Sequence, residues 1–113
     1  MISQAKARFT RISTRKARMV IDLVRGRNAA EALQLLEYTP KAAAPIVRKL
    51  IASAVANAKQ VQPNSDADDF VISVATVDKA STQHLRRWRP RAMGRATRVE
   101  KGASHICIQL DET

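Results

Sequence analysis

A chain of 113 residues has the length of one modest domain, residues 1–113, with room for a single core. Hydrophobic residues are 45% of it, which excludes a disordered polycation, and two Phe, one Trp and one Tyr mean that the core must be aliphatic. Twenty Lys and Arg against ten Asp and Glu leave +10, which calls for a polyanionic partner, nucleic acid ahead of an acidic membrane surface.

The lone Cys107 cannot form an internal disulfide, and no Cys/His spacing fits a zinc site. A reducing compartment is expected, with no metal and no cofactor. No run of about 18 apolar residues occurs, so no membrane span is expected. The N-terminus lacks the apolar stretch of a signal peptide.

In chain order, residues 3–11 alternate, with Ala5, Ala7 and Phe9 on one side and Lys6, Arg8 and Thr10 on the other. That is a strand with one basic face. Ser13 or Thr14 then caps a helix running to about Arg25, with an apolar stripe of Ala17, Val20, Ile21 and Val24, stopped by Gly26. Asn28 followed by Glu31 resembles a capping box, and Ala29, Ala32, Leu33 and Leu36 predict a second short helix. Thr39-Pro40 opens a third. Pro45 either kinks it or begins it afresh, because inside a helix the ring would strike the carbonyl of Lys41. Beyond it, Val47, Leu50, Ile51, Ala54, Val55 and Ala58 form a wide stripe suited to packing on a sheet.

The turn cluster at 62–66 precedes a strand over 70–78, with Phe70, Ile72, Val74 and Thr76 on one face. A last strand, 104–110, places Ile106, Ile108 and Leu110 on one face and His105, Cys107 and Gln109 on the other, with Cys107 read as buried. The pattern predicts an α+β fold, a three-stranded antiparallel sheet against three helices. About two dozen residues, 80–103, join the last two strands, where hairpin loops usually have two to five. With Pro90 and Gly94 at a central turn, paired flanks of about ten residues would project roughly 30 Å from the globule. The expectation is a long protruding β-hairpin arm.

Charge follows this division. Residues 1–27 hold eight cations against one acid, residues 28–85 five against six, and residues 86–101 seven against one. The middle is scaffold and the two basic blocks are working surface. An arm whose arginines repel one another is held by what it touches, and folded RNA is both anionic and deep enough to enclose it. Each guanidinium can fork onto phosphate, and Trp88 between Arg87 and Arg89 offers a stacking surface. Against this, a basic run is often only a solvated face, Trp88 can be local packing, His105 structural and His84 merely exposed. Asp66, Asp68 and Asp69 share a turn without the calcium-loop pattern. No nucleophile sits beside a base, so an enzyme is not expected. A free-standing nucleic-acid regulator would need dimer symmetry or sequence-reading side chains. A membrane-surface protein would need a basic amphipathic helix.

The run Pro90-Arg91-Ala92-Met93-Gly94-Arg95-Ala96, followed by Ser104-His105-Ile106, resembles the signature of the large-subunit ribosomal protein twenty-two family. Residues 12–18, 23–27, 29–38 and 53–58 resemble its three helices in order. The resemblance implies a structural, non-enzymatic constituent of the large ribosomal subunit, in the cytoplasm, that supports assembly. Its partners would be large-subunit (23S-type) rRNA, neighbouring ribosomal proteins and the nascent polypeptide, with no membrane and no homo-oligomer. Its hairpin would line the nascent-peptide exit tunnel, the tip in the macrolide neighbourhood. Carried onto this chain, Arg15, Lys16, Arg18, Arg25 and Arg27 match the basic first-helix positions, Arg86 and Arg87 the incoming arm, and Arg95 and Arg98 the returning arm. Trp88, Arg89, Pro90, Arg91, Ala92, Met93 and Gly94 would form the tip. Arg8, Arg11, Lys101 and His105 complete the expected rRNA-binding set. Departures are the bulky Trp88-Arg89, Gly102-Ala103 in place of a common Arg-Thr, and Thr82-Gln83 in place of a frequent Gly-Pro.

Overall fold

A computed structural model describes residues 1–81, 87–99 and 101–113; Thr82, Gln83, His84, Leu85, Arg86 and Glu100 lie outside the described residues. The elements are β1 (Ser3–Thr10), α1 (Thr14–Val24), α2 (Ala29–Glu37), α3 (Ala44–Val61), β2 (Phe70–Lys79), β3 (Arg87–Pro90), β4 (Ala96–Val99) and β5 (Ser104–Glu112). β1, β5 and β2 make a three-stranded sheet in that order, antiparallel throughout. β3 and β4 pair separately as a two-stranded ribbon. This is the expected α+β architecture with its protruding hairpin. The molecule measures 66 × 25 × 16 Å with a radius of gyration of 17.2 Å, against about 13 Å for a compact chain of about 100 residues. Among the described residues, no helix is long and apolar enough to cross a membrane.

The helical stripes do what their spacing requires. Ala17, Val20, Ile21 and Val24 of α1 are buried over β2, while Val47, Leu50, Ile51, Ala54, Val55 and Ala58 of α3 are buried across β1 and β5. Ser13 caps α1, its hydroxyl accepting from the Lys16 N–H at 3.3 Å, and Gly26 takes the left-handed conformation (φ 80°) that ends it. α3 begins at Ala44 with Pro45 in its first turn, so the proline starts the helix and does not kink it. Thr39-Pro40 therefore precedes the helix and does not open it. The capping box at α2 is half made. Asn28 Oδ1 accepts from the Ala30 N–H at 2.9 Å, but Glu31 turns away to Arg27 (2.7 Å).

Both edge strands carry a register break, and each reverses an expected face. In β2 the break lies between Ile72 and Val74, so the buried face is Phe70, Ile72, Ala75 and Val77, and Val74 and Thr76 are exposed. One extra residue moves every later side chain to the opposite face. In β1 the break lies between Ala7 and Thr10, and Phe9, expected beside Ala5, is instead 53% exposed with φ 54°. In β5 the alternation is unbroken: Ile106, Ile108 and Leu110 are buried, and Cys107 is half-buried on the open face, not in the core.

The outer edge of β2 is closed by the α1–α2 corner. Gly26 N–H donates to the Ile72 carbonyl and Ile72 N–H to that of Arg27, both at 2.9 Å. Further along, Arg25 donates from Nε and Nη2 to the Ala75 carbonyl (3.1 and 2.8 Å), and Arg18 from the same two atoms to that of Val77 (3.3 and 3.0 Å). The break explains the odd numbering of the last two acceptors. Asn57 of α3 donates likewise to Gln4 at the β1 edge (3.1 Å). At the end of the sheet far from the hairpin, the loop bearing Asp66, Asp68 and Asp69 meets Asp111 and Glu112 of β5, since Phe70 pairs with Glu112 and Val71 with Asp111.

Candidate nucleic-acid interface

The expected cations fall into four groups by their place in the fold. The first surrounds the N-terminus of α1, where Arg11 and Lys16 meet Lys101 around a shallow groove of about 390 Å³ and Arg15 stands exposed on the same helical turn as Lys16. The first turn of α1 holds no acid, only Arg15 and Lys16. Cations there oppose the positive end of the helix dipole, an arrangement that an anion would relieve. Among the described residues, none of these four side chains makes a hydrogen bond or ion pair. Gly102 seats this corner: a Cβ at that position would lie 3.1 Å from Ser13 Cα. The departure from Arg at this position is thus accompanied by close packing on the helix cap.

The second group is the open face of the sheet. Arg8 and His105, both expected, are joined there by Lys6 and Phe9, which were not in the expected set. Lys6 was legible, since strand alternation put it on the basic face with Arg8. Phe9 was not, because alternation assigned it to the core.

The third group is the hairpin. Arg87 pairs with Val99, Trp88 with Arg98, Arg89 with Thr97 and Pro90 with Ala96. Directly paired residues share a face, so Trp88 and Arg98 stand together on one side and Arg89 and Thr97 on the other. Met93 (φ 61°, ψ 34°) and Gly94 (φ 72°) make two successive left-handed residues, the signature of a type I′ turn, between Ala92 and Arg95. The Arg91 N–H donates to the Arg95 carbonyl at 2.6 Å. Every residue from Arg87 to Arg98 is exposed, with Trp88 at 68% and Met93 at 93%. The described pairing is four residues on each strand, and the rest of the ten envisaged from length runs into residues outside the described ones. Arg86 lies outside the described residues.

The fourth group comprises Arg18, Arg25 and Arg27, exposed but bonded within the protein. Besides the edge contacts of the first two, Arg25 Nη1 pairs with Asp22 (2.7 Å), and Arg27 donates from Nε to the Leu23 carbonyl (2.7 Å) and pairs with Glu31. These guanidinium groups are held in place by the protein's own acceptors. Among the described residues no cluster of three His, Cys, Asp or Glu side chains could hold a metal ion.

Comparison with known proteins agrees with this geometry. The family model for ribosomal protein L22p/L17e matches residues 5–111. A relative from Sorangium cellulosum (strain So ce56), the large ribosomal subunit protein uL22, is 61% identical over 112 residues, covering 99% of this chain and 98% of the relative. The helix stripes, the sheet order and the basic hairpin thus come from a chain that belongs to the ribosomal protein L22p/L17e family, a family of structural proteins and not of enzymes.

Proposed function

We propose that this chain is a single rRNA-binding domain that builds into the large ribosomal subunit, holding 23S-type rRNA with its scaffold and sending its hairpin inward along the nascent-peptide exit tunnel. The observation that carries this reading is the hairpin itself. Arg87, Arg89, Arg91 and Arg95 stand exposed on a ribbon remote from the core, and among the described residues their side chains have no internal hydrogen bond or ion pair. A two-stranded ribbon of this kind is marginal in water, and like charges along it weaken it further. RNA closing around it neutralises the charge and orders the arm in one step, which is how such a protein would support assembly. Counterion release makes the contact steeply salt-dependent.

The docking surface in this scheme is the corner of Arg11, Arg15, Lys16 and Lys101. Neighbouring ribosomal proteins complete the surroundings, and the nascent polypeptide passes the tip at Trp88–Gly94. Sedimentation of a cell lysate through a sucrose gradient at moderate salt tests the reading. Near-stoichiometric co-migration with large subunits that survives a salt wash is expected. A chain that stays at the top of the gradient would overturn the assignment.

A further inference from the structure

We propose that the open face of the sheet around Phe9 and His105 is a binding site for one unpaired RNA base, with Lys6 and Arg8 taking the adjoining phosphates. The inference deepens the rRNA-binding reading and rests on it, but its evidence lies away from the hairpin.

The first observation is strain. Phe9 adopts φ 54° within β1, at the register break between Ala7 and Thr10. A bulky residue in the left-handed region is strained, and such strain persists where the surroundings enforce it, often at binding sites. Here the strain does not serve the core: it turns a large ring out of the apolar face and leaves it 53% exposed.

The second observation is how the ring is fixed. The Phe9 N–H donates to His105 Nδ1 at 3.1 Å, and the two rings meet edge to face, 4.7 Å apart at 86°. With Nδ1 accepting, the neutral imidazole carries its proton on Nε2 and remains a donor. Two aromatic surfaces at right angles make a floor and a wall, the shape that receives a planar base by stacking.

The third is the surrounding chemistry. The rings border an open concavity of about 510 Å³ lined also by Lys6, Arg8, Thr76 and Asp78. Two cations outnumber the single carboxylate, which suits a ligand whose backbone is anionic. Asp78, paired with His105 in the strand register, can only accept, and it would favour a base with an exocyclic amine. An apolar protein side chain would satisfy neither the cations nor the carboxylate.

The test uses the full chain carrying Trp88→Ala, so that stacking on the hairpin does not contribute, and two probes: an adenosine hexanucleotide and an abasic ribose-phosphate hexamer. NMR on Phe- and His-labelled protein should show the Phe9 and His105 ring signals moving with the adenosine probe and not with the abasic one. Fluorescence anisotropy should give a preference for adenosine of roughly 5- to 150-fold, the range for one stacked base. Phe9→Gly removes the ring while suiting the backbone conformation, so it should fold with an unchanged or higher Tm and lose that preference. If the hexamer binds while the Phe9 and His105 signals stay still, or if Phe9→Gly keeps the preference, the site is overturned and the rRNA reading stands. If neither hexamer nor large-subunit rRNA binds, both fail together.

Discussion

The scaffold and the hairpin are both rich in arginine and use it in opposite ways. In α1 and the corner after it, Arg18 and Arg25 spend two donors each on carbonyls of β2, and Arg27 spends one on Leu23. In the hairpin, Arg87, Arg89, Arg91 and Arg95 have no such acceptor among the described residues. Charge alone does not separate the two. What separates them is packing: α1 lies on β2 and brings Arg18 and Arg25 up to unpaired carbonyls of its edge, whereas the hairpin arginines project from a ribbon whose residues are all exposed from Arg87 to Arg98. A basic motif can therefore contain structural posts and ligand contacts side by side.

The largest test of this contrast is the fourfold variant Arg87→Ala, Arg89→Ala, Arg91→Ala, Arg95→Ala. Filter binding to large-subunit rRNA should weaken by about a thousandfold at 0.1 M salt, with the log–log salt slope shallower by about 3, while the scaffold's Tm stays put. A smaller effect of the reverse kind is expected from Arg18→Ala with Arg25→Ala. Urea unfolding should show a loss of about 1–2 kcal/mol, discounted because Arg25 is about half exposed, with the salt slope nearly unchanged. A drop in slope by about 2 with unchanged stability would make them phosphate ligands after all. The smallest effect is expected at the far end of the sheet. Replacing Asp66, Asp68 and Asp69 with Ser removes part of the charge gradient that points the basic end toward RNA. Stopped-flow association should slow by about two- to threefold at low salt, with dissociation unaffected.

The sequence made the helical half of the fold plain, because a stripe at 3.6-residue spacing survives small errors in where a helix starts. Ala17, Val20, Ile21 and Val24 needed no correction, and Pro45 needed only a choice between two stated options. The strands were less legible. A bulge inserts one residue and inverts the period-two pattern beyond it, with no residue type to announce it, so plain alternation puts Val74, Thr76 and Phe9 on the wrong face. In β5, where no bulge occurs, alternation alone was enough. At the candidate interface the exposed hairpin cations could be read from charge runs. The internal role of Arg18 and Arg25 could not, because it depends on a β2 edge 50 or more residues away in the chain.

The closed outer edge of β2 matters before any RNA is met. A newly made chain must wait for its assembly partner, and an open strand edge invites other copies to add to it. Here the α1–α2 corner takes both backbone groups of Ile72, two arginine forks take the carbonyls of Ala75 and Val77, and Asn57 takes that of Gln4 on the opposite edge, beside Lys6 and Arg8. Several of the backbone groups through which a second copy could add to this sheet are thus already taken up within the chain itself.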